Sequence, residues 1–152
     1  VAVPSAQVGQ PEVKLGIIPG AGGTQRLPRL AGGKVAIDMC AGGDPVKAAD
    51  AAKAGILDRV IEGDLLAGAI AFAREVAGKP VLRSRDRQDR LGDSTAEVFA
   101  QARKEYSKKF RNWMAPQKAI DAVEAATKMP FPEGLAEEAR LFRECLHSDQ
   151  SK

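Results

Sequence analysis

The sequence predicts a mostly α-helical chain with one or two short strands, and three observations carry that prediction. Apolar residues recur at helical spacing in a succession of stretches along the chain. These stretches are bounded by Gly, Pro, Ser, Thr or Asp at the positions where helices start and stop. Extended patterning is confined to residues 5–8 and to Leu57, Val60 and Ile61.

Residues 1–23 are rich in breakers: Pro4, Gly9, Pro11, Gly16, Pro19, Gly20, Gly22 and Gly23. They predict a brief strand at 5–8 and a turn over 10–18 that leads into extended chain. Thr24 is placed to cap a short helix carrying Leu27 and Leu30, with Pro28 admissible only in its first turn, where a missing N–H is no loss. After Gly32-Gly33 a second helix carries Val35, Ala36, Met39 and Cys40, and Gly42-Gly43 ends it. A third spans 44–54, with Asp44 as N-cap, Pro45 at the first helical position and Gly55 as terminator. Asp64 caps a fourth, striped by Leu66, Ala69, Ile70, Ala73, Val76 and Ala77.

Residues 79–93 then mix Arg83, Arg85, Arg87 and Arg90 with Asp86 and Asp89 and present no apolar face, the pattern of a linker. Three helices follow. One runs from 94 to about 113 with Phe99, Ala102, Tyr106, Phe110 and Trp113 on one side. A second starts at Pro116 and carries Ile120, Val123 and Ala126. A third starts at Pro132 with Leu135, Ala139, Phe142 and Leu146. The expected division is therefore 1–80, a connecting stretch at 81–93, and a helical region at 94–152.

Composition narrows the function classes. Hydrophobic residues at 44% and charged residues at 28% are ordinary for a globular chain, while 5% aromatics means a core of Ala, Val, Ile and Leu. A net charge of +3 is too mild to argue for nucleic acid. The basic residues Arg103, Lys104, Lys108, Lys109 and Arg111 read as a solvated helix face. Cys40 and Cys145 have no paired spacing, which predicts reduced structural thiols in a cytosol-like compartment. The single histidine, His147, leaves no material for a histidine-based metal site or a Ser-His triad, and reads as an exposed group at a helix end. No apolar run approaches the roughly 20 residues of a membrane span.

The opening segment holds the candidate chemistry. Glu12 precedes an apolar run and then the glycine-rich Pro19-Gly20-Ala21-Gly22-Gly23, which opens onto a helix start. Such a turn frees backbone N–H groups, and a carboxylate beside them can move protons on a bound molecule. Read from the residues alone, an exposed turn carboxylate with hinge glycines carries more weight, because a motif without structural context is weak. Two phosphate-binding alternatives fail. Gly33-Lys34 is followed by Val35, with Pro28 where a P-loop needs its first glycine, and Gln25 stands where a dinucleotide fingerprint needs Gly or Ala.

The run from Gln10 through Pro11-Glu12, Leu15-Gly16-Ile17-Ile18-Pro19-Gly20-Ala21-Gly22-Gly23-Thr24-Gln25-Arg26-Leu27 to Arg29 closely resembles the second signature of the enoyl-CoA hydratase/isomerase (crotonase) family. The likeness continues through 36–43, 48–55 and Leu57-Asp58-Arg59-Val60, covering about half the chain. It implies an α/β parent, a spiral of ββα turns, of which this chain is the mostly helical C-terminal part. It implies an acyl-CoA thioester as substrate, with Glu12 as the second of two glutamates around one water and Gly20 as the glycine whose N–H helps hold that water. The family's other glutamate and its oxyanion-hole donors match nothing in these 152 residues, so the chain alone is expected to be nearly inactive. Val8 also stands where the family more often has an aromatic.

The stretches Trp113-Met114-Ala115-Pro116 and 128–142 resemble, more loosely, the helical linker of bifunctional hydratase/dehydrogenases. That likeness implies a fatty-acid β-oxidation parent, with NAD bound only in a following dehydrogenase part and no cofactor or metal in this chain. The implied location is the bacterial cytoplasm or the eukaryotic peroxisome, without secretion. No nucleic-acid or membrane partner is expected. A homo-oligomer through exposed apolar helices is expected, since a half-domain leaves apolar surface uncovered. The competing reading is a non-catalytic helical assembly module.

Overall fold

Small side chains set the packing of this chain. In the computed structural model, which describes residues 1–152, helix α6 (Ala115–Lys128) buries Ala115, Ala119, Ala122, Ala125 and Ala126 together with Ile120 and Val123. Alanine lets helix axes approach closely. Four helices accordingly pack on α6: α1 (Gly23–Ala31), α2 (Gly33–Gly42), α5 (Ala96–Lys109) and α7 (Phe131–Leu146). One apolar core joins Val13, Ile18 and Leu27 from the first part of the chain to Phe99, Tyr106, Ile120, Leu141 and Cys145 from the last.

The seven predicted helices form, the remaining two being α3 (Ala48–Lys53) and α4 (Leu65–Val76). The extended pieces are small. Strand β1 (Gln7–Val8) pairs antiparallel with β2 (Val46–Lys47), Val8 opposite Val46, and Ala2 forms an isolated parallel bridge with Val60. The chain is thus mostly helical, as its patterning predicts, but the second strand falls at Val46–Lys47, and the strand expected at Leu57, Val60 and Ile61 is reduced to the one bridge at Val60.

Several local expectations change. Residues 11–15 form a 3-10 turn (Pro11–Leu15), ended by Gly16 in the left-handed region at φ 74°. Helix α1 starts at Gly23 with Gly22 as its N-cap, so Thr24 lies inside the first turn and does not cap it. Pro28 sits in the interior of α1 and is fully buried, at the cost of one intrahelical bond. Asp44 and Pro45 do not start a helix. Val46 is drawn into the pairing with β1, and α3 begins only at Ala48, whose N–H donates to Ala6 C=O at 2.9 Å. Ser94 also lies outside a helix. Its hydroxyl accepts from Gly33 N–H at 2.9 Å and so satisfies the start of α2, while Thr95 caps α5. Helix α5 stops at Lys109 and Asn112 turns the chain at φ 65°, so Trp113 lies outside the helix and is exposed, with its ring centre 5.9 Å from that of Phe110.

Residues 81–93 carry only a short 3-10 turn (Ser84–Asp86) that packs on α1, with the Arg85 guanidinium 5.1 Å from the centre of the Phe131 ring. The basic face of α5 is solvated in part. Arg103 instead reaches α6, donating to Asp121 at 2.7 Å and to Glu124. Asp64 caps α4 as expected, accepting from Ala67 N–H at 3.1 Å, yet α4 buries none of its residues. Leu66 and Ile70 stand 70% and 43% exposed. His147 ends α7 in solvent.

The buried face of α7 differs from its apolar stripe. It consists of Phe131, Gly134, Glu138, Leu141 and Cys145, while Ala139 and Leu146 face solvent. At Gly134 an added Cβ would overlap Gln25 Oε1. Gln25 is fully buried, and its Nε2 is held by Thr24 Oγ1 at 3.0 Å and Ala122 C=O at 2.7 Å. In an open helix, Gly→Ala stabilises by about 1 kcal/mol. Gly134→Ala is expected to have the opposite sign, destabilising by about 1–3 kcal/mol through overpacking. Urea unfolding checks the sign, and an increase in stability would contradict this packing.

Candidate active site

The turn that carries Glu12 is anchored on both sides. Val13 and Ile18 are fully buried in the core. Lys14 Nζ lies 2.9 Å from Asp44 Oδ1, and Gly16 is packed so closely on the Gln150 carbonyl that a side chain there would overlap it. Glu12 itself is half-buried. Its Oε2 is buried and accepts no hydrogen bond from the chain. Such an acceptor costs about 1–3 kcal/mol unless a bound group satisfies it.

Gln10 ties this turn to the glycine-rich loop. Cys40 Sγ–H donates to Gln10 Oε1 at 3.1 Å. The same amide lies 2.9 Å from where a Cβ on Gly23 would sit. The Gln10 side chain is therefore wedged between α2 and the first residue of α1, and a residue larger than glycine at 23 would displace it. Burial, and then the charges of Glu12 and Glu138, push the Cys40 thiol up, so it is kept protonated and is no nucleophile. Cys145 is pushed up to about 11, chiefly by burial.

The loop is held from the other side by α7. Gly20 C=O accepts from Gly23 N–H at 2.9 Å, and Gly20 N–H donates to no group of the chain. Ala21 and Gly22 follow with φ of 52° and 82°. The Glu138 carboxylate then accepts from Gly22 N–H at 2.7 Å, from Thr24 N–H at 3.0 Å and from Thr24 Oγ1 at 2.6 Å. Arg29, buried beneath, donates to Gln25 C=O at 2.7 Å, and burial lowers its pKa.

Glu12 and Gly20 are not joined by a hydrogen bond. Each offers one unused group, an acceptor oxygen and a donor N–H. Nothing in the backbone angle or the space around Gly20 requires glycine, since a Cβ there would make ordinary contact with Phe142 at 3.6 Å. A groove of about 620 Å³ between α2 and α5, lined by Asp38, Gln101 and Tyr106 among others, includes neither Glu12 nor the loop. There is no grouping of three His, Cys, Asp or Glu able to hold a metal ion, and no helix is long and apolar enough to cross a membrane.

Glu138 escaped the sequence reading. The available signal was its place on the stripe of Phe131, Gly134, Leu141 and Cys145, a lone carboxylate on an otherwise apolar or small face. Two buried thiols of raised pKa lead to a simple expectation. Neither cysteine of the folded protein should react with a thiol reagent at mildly alkaline pH, and both should react after denaturation. Rapid labelling of the native protein would contradict the burial of Cys40.

The chain is similar to proteins already known. The family model described as enoyl-CoA hydratase/isomerase matches residues 1–119. The human peroxisomal bifunctional enzyme is 36% identical over 154 aligned positions, covering 100% of this chain and 21% of that protein. The glyoxysomal fatty acid beta-oxidation multifunctional protein of Cucumis sativus is 39% identical, with 100% of this chain and 22% of that protein covered. The fatty acid oxidation complex subunit alpha of Shewanella baltica is 39% identical, with 95% and 21% covered. The chain thus spans about a fifth of the length of these relatives.

Proposed function

The chain belongs to the enoyl-CoA hydratase/isomerase family, and from that membership we propose that it supplies the acid–base half of a hydratase site acting on trans-2-enoyl-CoA. Glu12 takes a proton from the water that adds to the double bond, or returns one, as the thioester enolate forms. Gly20 N–H holds that water. A proton can move only between groups within hydrogen-bond reach, and the enolate charge needs prepositioned donors. Those further donors and the family's other glutamate have no counterpart among these residues, so we assign turnover to a longer parent chain.

The observation that carries this reading is the buried Glu12 Oε2 with no partner in the chain. It stands on a turn wedged by Gln10 against a loop whose Gly20 N–H is also unused. The names of the relatives extend the proposal. The parent is a fatty-acid β-oxidation enzyme that also oxidises 3-hydroxyacyl-CoA, with NAD bound in that separate part and none in this chain, and it works in a peroxisome or in a bacterial cytoplasm. Residues 81–93 then divide the parent's sequence at 1–80 and 94–152, although one apolar core spans both sides here.

In the parent, Glu12→Gln is expected to cut hydration of crotonyl-CoA roughly 10²–10⁴-fold, followed as loss of the enoyl absorbance. Hydration at the unmodified rate would end the assignment. The 152-residue chain alone is expected to stay near background and to gain activity when the missing half is supplied.

The bare face of α4 favours a second reading, a non-catalytic assembly module. Leu65, Leu66, Ile70 and Val76 are exposed there, as are Val81 and Leu82 further along the chain. Patches of this kind drive association, so we propose that the chain forms a homo-oligomer through it. Leu66→Glu combined with Ile70→Glu should shift the mass measured by light scattering to that of a monomer. A clean monomer of the unsubstituted 152-residue chain at high concentration would contradict the oligomer, and failure to recover hydration with the added half would favour the module.

A further inference from the structure

Glu138 has no part in the chemistry assigned to Glu12, yet it is only 3% exposed. Taking a carboxylate out of water is costly unless hydrogen bonds replace its hydration. Its three bonds, to Gly22 N–H, Thr24 N–H and Thr24 Oγ1, do so. All three donors lie at the start of α1, where free N–H groups and the helix dipole favour a negative partner. No side chain of the N-cap residue, Gly22, serves there. The cap comes instead from 116 residues further along the chain.

The backbone it holds does not settle by local preference alone. Ala21 and Gly22 are left-handed in succession, a conformation that costs an L-residue such as alanine about 1–2 kcal/mol. Apart from the first helical bonds, from Gln25 N–H and Arg26 N–H to Gly22 C=O, the local braces are Gly23 N–H to Gly20 C=O and Arg26 Nη1 to Ala21 C=O. Phe142, one helical turn beyond Glu138, lies against Gly20. One side of α7 thus grips residues 20–24 at both ends.

From this geometry we propose that Glu138 is a positioning residue for the hydration chemistry, setting by its hold on Gly22 and Thr24 the turn that aims the Gly20 N–H. The proposal rests on the hydratase reading above. It gives a task in the reaction to α7, a helix beyond the residues 1–119 that the family model matches.

Both oxygens of the carboxylate accept, so glutamine cannot stand in for it. Either orientation of the amide sets an NH2 group against an N–H donor. In the parent enzyme, Glu138→Gln is expected to lower kcat for enoyl-CoA hydration about ten- to a hundredfold while KM stays within about twofold. Thr24→Val removes one of the three bonds and should give a smaller loss of the same kind. The double variant should lose less than the product of the two, because both act on one network. Amide exchange at Gly22 and Thr24 should quicken in Glu138→Gln, with the amides of α6 still protected.

A Glu138→Gln enzyme with unchanged kcat per folded molecule overturns the proposal, whether or not its melting temperature falls. If Glu138→Gln does not fold, the same split between kcat and KM in Thr24→Val decides. Glu12→Gln separates the two levels. Activity lost there but kept in Glu138→Gln sinks the positioning role alone, whereas activity kept in Glu12→Gln sinks the hydratase reading and this proposal with it.

Discussion

Close approach along α6 is the constraint from which the rest of the molecule follows. Five buried alanines give this helix little bulk, so α1, α2, α5 and α7 gather on it at once. Two consequences reach the candidate site. With α1 and α2 both resting on α6, the loop before α1 and the Cys40 side of α2 leave between them the space that Gln10 fills. With α7 on the same helix, its buried face is carried over the loop. A larger side chain at Ala119 or Ala122 would push these helices apart, and the polar contacts would be lost before the apolar core was.

The polar groups inside this assembly are few and nearly all bonded. Thr24, Gln25, Arg29 and Glu138 are buried together near the start of α1, and each makes at least one hydrogen bond within the chain. The exceptions are single atoms: Gln25 Oε1, Arg29 Nε and Glu12 Oε2. Gln25 Oε1 occupies the space that a Cβ on Gly134 would need. Of the three, only Glu12 Oε2 belongs to a residue that the family resemblance singles out. A satisfied network rigidifies its surroundings, and here it lies at the start of α1, where the glycine-rich loop ends.

Much of the helical order was legible because its signals are local. Asp64, Gly43 and Pro116 mark ends through their own local chemistry, and the structure places helix ends there. Where pairing across the chain competed, local signals lost. Asp44-Pro45 reads as a helix start, yet Val46 pairs with Val8, and Gly9 packs tightly on Pro45. Thr24 reads as a cap, but a distant carboxylate supplies what a cap would. Pro28 reads as a first-turn residue, and burial holds it within α1 instead. At the site, Glu12 and Gly20 were accessible through family likeness and Glu138 was not. Hydrophobic patterning treats a carboxylate as a solvent-facing residue, and no spacing rule links positions 22 and 138.

That separation has a bearing on how the chain is made. A ribosome releases the glycine-rich turn well before the side chain that caps it, which emerges only after another 116 residues. Until then the turn's N–H groups are hydrated and its left-handed residues are free to relax, because distant closures carry a loop-entropy cost that only later packing offsets. Closure of this corner therefore waits until α7 has been made, and chains truncated before α7 would carry the glycine-rich turn without the carboxylate that holds it.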